Sequence, residues 1–187
     1  MATTELRALL VADQEPPREA AELVALNSPD VVITLGDLPR DWLAGLRHLD
    51  LPRIGVLGNH DGYPLEESGV RDLHLARVEV GGRSFAGFEG CVRYSDGPHQ
   101  YTQAQAERLA RELPAADVLV CHCPPAGVND EPGDRAHAGF AALRVWVERH
   151  RPRHLLHGHT TPDPRRSRSR LGDTAVVWVR GARVLML

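Results

Sequence analysis

A chain of 187 residues, 42% hydrophobic and 25% charged, has the size of one ordinary domain and is too apolar to be disordered. The net charge is −3 with all 22 basic residues arginine, which argues against a general nucleic-acid binder, and no apolar run reaches the roughly 18 residues of a membrane helix. The start, MATTELRALLVADQE, lacks the basic region of a signal peptide, and three cysteines (Cys91, with Cys121 and Cys123 flanking His122) make no disulfide framework, so a reducing cytoplasm is expected.

In chain order, residues 6–12 (LRALLVA) predict a strand, 17–26 a helix, 31–35 (VVITL) a strand, 41–49 a helix and 54–57 (IGVL) a strand. These apolar runs are continuous rather than alternating, as strands covered on both faces are. Residues 77–80 and 83–88 flank Gly81-Gly82, a two-residue hairpin signal. A helix over 103–113 opens with Thr102 and Gln105 at capping-box spacing and stops before Pro114. A strand at 118–121 (VLVC), a helix at 140–151 and a short apolar run at 154–156 (HLL) come next. Residues 162–170 (PDPRRSRSR) predict a mobile loop, and the runs 175–179 and 183–187 around Arg180-Gly181-Ala182 predict a second hairpin. No repeat or linker divides the chain, so residues 1–187 are expected to form one α/β domain. Right-handed crossovers gather its loops at the carboxyl edge of the sheet.

The chemistry lies at the carboxyl end of each apolar run. After LLVA comes Asp13-Gln14-Glu15; after VVITL, Gly36-Asp37-Leu38; after IGVL, Gly58-Asn59-His60-Asp61. After VLVC comes His122, and after HLL, His157-Gly158-His159-Thr160-Thr161. Singly, each Asp or Asn is equally a turn or cap residue, and a lone His an ordinary surface or core residue. Together, five strand ends deliver carboxylate, amide and imidazole groups to one edge. Carboxylates crowded there repel, and a cation in their midst offsets the repulsion.

In order and spacing, DxE, GDL, GNHD, an isolated strand-end His and GHxT resemble the calcineurin-like metallophosphoesterases. The signature of that family is DxH, GDxx, GNHD/E, H and GHxH. The match runs over residues 13–161, and the stretches 89–102 (EGCVRYSDGPHQYT) and 124–130 (PPAGVND) resemble a bacterial branch in which DxE also occurs. The resemblance implies a four-layer αββα sandwich with two mixed β-sheets. It also implies two divalent metals at the carboxyl edge and hydrolysis of phosphate esters. Carried over by position, one metal site takes Asp37, Asn59, His122 and His159. The other takes Asp13, Glu15, bridging Asp37 and the place of Thr161, where the family has His. Glu15 is two residues after Asp13, so an extended chain turns both side chains the same way. Glu15 and Thr161 make the second site harder and weaker, which favours Mn2+, with Mg2+, Fe or Zn2+ as other candidates. His157, across Gly158, is assigned a structural place beside the ligands.

The same resemblance implies that the metals share a bridging hydroxide, which attacks phosphorus in line with the leaving alkoxide. His60 then protonates the leaving oxygen as general acid. Asp61 either orients His60 or caps its own turn. Arg93, Tyr94 and His99 lie in the loop before the third helix, where Arg93 and His99 are the candidate substrate contacts. Asn129 and His137, after His122, are further candidates. Tyr101 and Trp146 are assigned to the core, and Cys121 and Cys123 to buried thiols facing away from the metals. Arg165, Arg166, Arg168 and Arg170 form a basic run, read as a solvated loop, with nucleotide or RNA phosphate as the other reading. The leading expectation is a phosphodiesterase for a small substrate such as a nucleotide; with no length to spare for a cap domain an open, shallow site is expected, which suits small substrates better than a docked protein. A phosphomonoesterase acting on a nucleotide or a protein, and a non-catalytic metal-binding scaffold suggested by Thr161, are the alternatives. The oligomeric state is open.

Overall fold

The computed structural model describes residues 5–163, 165 and 168–187. Its elements begin β1 (Arg7–Ala12), α1 (Ala20–Asn27), β2 (Val31–Thr34), α2 (Arg40–Ala44), β3 (Arg53–Gly55) and β4 (Arg71–Asp72). They continue with β5 (Arg77–Val80), β6 (Arg83–Phe88), β7 (Cys91–Val92), β8 (Gln100–Tyr101), α3 (Gln103–Ala110) and β9 (Val118–Cys121). The last are α4 (Ala141–His150), β10 (His154–His157), β11 (Arg168–Leu171), β12 (Thr174–Trp178) and β13 (Gly181–Met186).

Two sheets carry the site. The first has the order β13-β1-β2-β3-β4, parallel except for β13. The second has the order β11-β12-β10-β9-β6-β5, with a parallel centre and antiparallel edges. Strand alternation sorts the side chains into layers. On β1, Ala8, Leu10 and Ala12 join Val118, Val120, Leu156 and Val177 of the second sheet in the central core. Leu9 and Val11, on the opposite face of β1, pack with Leu23, Trp42 and Leu43 from α1 and α2. The outer face of the second sheet packs Phe88, Leu119 and Leu155 against Ala106 of α3 and Leu143 and Trp146 of α4. This is the four-layer αββα sandwich, and its doubly covered strands explain the unbroken apolar runs.

The Gly81-Gly82 hairpin forms as expected between β5 and β6. The capping box also forms: Gln105 N donates to Thr102 Oγ1 at 3.2 Å and Thr102 N to Gln105 Oε1 at 2.9 Å. The helix expected over 41–49 is α-helical only to Ala44 and continues as i→i+3 turns from Gly45, where glycine weakens the helix.

Two expectations near the C-terminus are corrected. The runs 175–179 and 183–187 are strands but not a hairpin. β12 pairs with β10 and β11, whereas β13 crosses to the other sheet and pairs with β1. β12 buries Val177 in the central core, and Leu187, just past β13, is buried there too, so apolar pattern fixes each as a strand without fixing its partner. The basic segment is not wholly a loop either. Residues 168–171 form β11, turned onto β12 through Gly172-Asp173 with Gly172 at φ 59. Arg166 of the basic run lies outside the described residues, as do Pro164 and Ser167.

Candidate metal centre

Five parallel strands, β1, β2 and β3 of one sheet and β9 and β10 of the other, end at one edge. The chain leaves that edge abruptly: Asp13 (φ 58), Asp37 (φ 55) and His159 (φ 65) all take the left-handed conformation, which non-glycine residues adopt at a cost. Two glycines let the strand ends touch. A Cβ on Gly36 falls 2.6 Å from Gly58 Cα and 2.7 Å from His122 Nδ1, and one on Gly58 falls 2.6 Å from Asp37 Cγ. The sequence GD and GN pairs therefore have a steric reason.

The contacts bind the two sheets together. His122, fully buried, has Nδ1 2.7 Å from the Leu35 carbonyl. A proton on Nδ1 donates there, which fixes the ring and aims Nε2 at the cavity. Nε2 lies 3.1 Å from Asn59 Oδ1 and 3.4 Å from Asp37 Oδ2. His159 N donates to both carboxylate oxygens of Asp13, at 3.0 and 2.9 Å, and its ring Nε2 lies 2.7 Å from the Ala136 carbonyl. Asp37, His122 and His159 each offer one ligand atom, all within 4.8 Å of one another. The electrostatics favour positive charge at this point. Burial opposes a charge on His122, yet Asp37 and Asp13 outweigh it and push the pKa up to about 9. Burial holds His159 down at about 3, with the charge of His122 adding to it, so its imidazole is a neutral donor. Burial also pushes Asp13 up to about 6.

The other expected residues fall into distinct places. His60 stands at the mouth, its backbone N–H donating to Asp37 Oδ1 at 2.9 Å and its Nε2 4.0 Å from Asp37 Oδ2. Asp61 is buried, and its Oδ2 accepts from Gly58 N at 2.7 Å and Asp37 N at 2.9 Å, tying the GNHD loop to the end of β2. Asp13, Asp37, Asn59, His60, His159 and Thr161 line an open cavity of about 210 Å³. Glu15 is exposed and outside that lining. The extended geometry that would aim it alongside Asp13 is absent, because Asp13 turns the chain at φ 58. Arg93 and His99 are also outside the lining: Arg93 donates to the Gln100 carbonyl at 3.2–3.3 Å, and His99 Nδ1 lies 3.2 Å from Glu89 Oε1.

Three lining residues carried no site assignment from the sequence, or only a weak one. Tyr94 accepts from Asn59 Nδ2 at 3.0 Å through its hydroxyl. Arg180 reaches the cavity from the crossover between β12 and β13. His137 has its ring centroid 5.4 Å from that of His159. Tyr94 and His137 lie in loops that the sequence already singles out, and Arg180 carries a further signal, since it follows an apolar strand as the other site residues do. Asn129 Nδ2 lies 2.9 Å from Nε2 of buried His157, away from the cavity. Cys91, Cys121 and Cys123 are free and buried. A larger groove of about 580 Å³ between α3 and α4 is lined by Leu113, Val145 and Trp146 and contains none of these groups.

A family model described as calcineurin-like phosphoesterase matches residues 6–163. No curated protein matches at a significant level. One solved crystal structure superposes with a TM-score of 0.72 at 16% identity, covering 98% of this chain and 95% of its own. The structure of TT1561 from Thermus thermophilus gives 0.64 at 18% identity over 98% and 99%. A hypothetical protein from the same organism gives 0.55 at 22% identity over 94% and 76%. At these identities the likeness to solved structures establishes the fold alone.

Proposed function

The chain belongs to the calcineurin-like phosphoesterase family, whose chemistry is metal-dependent hydrolysis of phosphate esters, and we propose that it acts on a small phosphodiester such as a nucleotide. The observation that carries this reading is the convergence of Asp37, His122 and His159 from three strand ends within 4.8 Å. The donor set suits a divalent ion: a carboxylate, the Asn59 amide oxygen and two imidazoles, one of them oriented by the Leu35 carbonyl. Asp13 and Asp37, with Thr161 beside them, would hold a second ion more weakly, in an oxygen-rich setting that suits Mn2+ or Mg2+. When bound, the ions supply Lewis acidity and a water that ionises near neutral pH.

The chain's own groups do the rest. Protonated His60 donates its proton to the leaving oxygen, and its 71% exposed side chain at the mouth is free to meet it. Asp61 acts through the loop: by holding the Gly58 and Asp37 N–H groups it keeps His60 over Asp37. Tyr94 fixes the Asn59 amide so that its oxygen, not its nitrogen, faces His122. A cavity of about 210 Å³ is smaller than a drug-sized pocket and fits a phosphate with little else. The substituents of a diester then lie over the open rim.

The test compares bis(p-nitrophenyl) phosphate with p-nitrophenyl phosphate on manganese-loaded protein. Faster turnover of the diester is expected, and faster turnover of the monoester overturns the diester assignment. Thr161 and the exposure of Glu15 favour one other reading, a metal-binding scaffold. One metal per chain and no turnover with manganese, magnesium, nickel or cobalt would establish it.

A further inference from the structure

We propose that Arg180 is a phosphate clamp: its guanidinium binds a non-bridging oxygen of the substrate phosphate beside Thr161, where the family pattern places a metal-ligating histidine. The inference rests on the phosphoesterase reading for its substrate, but the geometry of Arg180 stands without it.

Arg180 is held where two strand ends that carry the site meet. On one side, Val179 N donates to the His157 carbonyl at 2.8 Å, which fixes it to the end of β10. On the other, Gly181 pairs with Ala12, the residue before Asp13. The neighbouring loop is pinned from the same strand, because Trp178 Nε1 donates to the Thr160 carbonyl at 2.6 Å. The backbone on either side of Arg180 is therefore positioned by two contacts, and the side chain lines the cavity with Asp13, Asp37 and His60.

Among the described residues the donors of the guanidinium are largely uncommitted. Nη1 donates to Thr161 Oγ1 at 3.3 Å, a long bond to a neutral hydroxyl. Asp13, the nearby carboxylate, accepts the His159 N–H on both oxygens and meets Arg180 as a coulombic partner, not a hydrogen-bonded one. Beside Arg180, Thr160 lines the same cavity, and its buried Oγ1 has no hydrogen-bond partner among the described residues. An orphaned buried hydroxyl is costly unless a bound group satisfies it. A guanidinium with a planar fork, next to the Thr161 hydroxyl, matches a tetrahedral oxyanion. Replacing a histidine by the small Thr161 leaves that fork the room to reach it.

The test measures binding of inorganic phosphate to the manganese-loaded protein by calorimetry, beside the metal content of each variant. Arg180 is exposed, so Arg180→Gln and Arg180→Lys should both fold. A charge-assisted hydrogen bond contributes enough that R180Q is expected to bind phosphate about 10- to 100-fold more weakly. Arg180→Lys, a point charge without the fork, should fall between the two, and metal content should stay that of the parent. Unchanged phosphate affinity in R180Q overturns the proposal. So does a loss of metal that accompanies the loss of phosphate, since Arg180 then holds the centre and not the ligand. Inorganic phosphate is not itself hydrolysed, so its binding is read independently of turnover. A chain that binds phosphate through Arg180 but hydrolyses no ester would therefore leave this inference standing while the proposed function fails.

Discussion

Replacing Gly58 with alanine probes the whole edge with one methyl group. Gly58 is not among the positive-φ glycines, so the change acts through contact and not through backbone strain. The new Cβ falls 2.6 Å from Asp37 Cγ and 2.7 Å from Asp37 N, and closer still to Asp37 Oδ1. Ordinary contact begins near 3.4 Å, so the carboxylate must swing away or the two strand ends must part. Overpacking of this kind costs about 1–3 kcal/mol, and losing the bond from His60 N to the Asp37 carboxylate adds about 1.5–3 kcal/mol. Partial relaxation leaves an expected loss of about 2–4 kcal/mol, which for a chain of this size lowers the melting temperature by about 4–16 °C. The displaced carboxylate also leaves the ligand cluster, so affinity for Mn2+ should fall at least about tenfold, or about 1.4 kcal/mol. Scanning calorimetry with and without chelator gives the first quantity, and titration with manganese chloride the second. A variant that melts with the wild type refutes the packing. A variant that melts early yet binds manganese with parental affinity removes Asp37 from the centre.

Other substitutions separate the remaining roles. His60→Ala should keep its metal and lose about 10²–10⁴ in turnover; loss of metal in proportion to activity would assign His60 to coordination or folding. Thr102→Ala breaks the capping box of α3 and should cost about 1 kcal/mol in a denaturant titration, and no change would show that the cap is not used. Asp117 receives bonds from Ser84 N at 3.0 Å and Ser84 Oγ at 2.7 Å. The backbone bond first, then the hydroxyl, holds its pKa below the ordinary 3.8. A depressed carboxylate stabilises the fold above its ordinary value and loses that contribution as pH falls through the folded value. Asp117→Asn should therefore be less stable than the parent at neutral pH, with the gap closing as pH drops below 3.8. A gap that widens in acid contradicts this account.

The fold was legible where local chemistry decides it. Gly81-Gly82 can only turn tightly, Thr102 and Gln105 can only cap, and an apolar run covered on both faces shows no alternation. The strand-end groups were legible for the same reason: Asp37, Asn59, His122 and His159 each lie just past a buried strand. What escaped was decided at a distance. β12 and β13 read as partners because they are adjacent in sequence, but each found an open strand edge in a different sheet. β11 was hidden in a run of arginines whose charge masks the Gly172-Asp173 turn beyond it. Glu15 read as a companion of Asp13 because spacing assumes an extended chain, and φ 58 at Asp13 is a property of the folded edge. Tyr94 enters the cavity only because the β7–β8 loop folds back to Asn59.

The left-handed turns at Asp13, Asp37 and His159 have an evolutionary corollary. Each holds an L side chain in a backbone shape that glycine or asparagine tolerates better, and two of them crowd negative charge together. A laboratory selection for heat resistance alone would thus be drawn to these same positions, hardening the protein while disarming it. Ageing enzymes in hot buffer and rewarding only survivors is, for this architecture, a way to breed inert sandwiches.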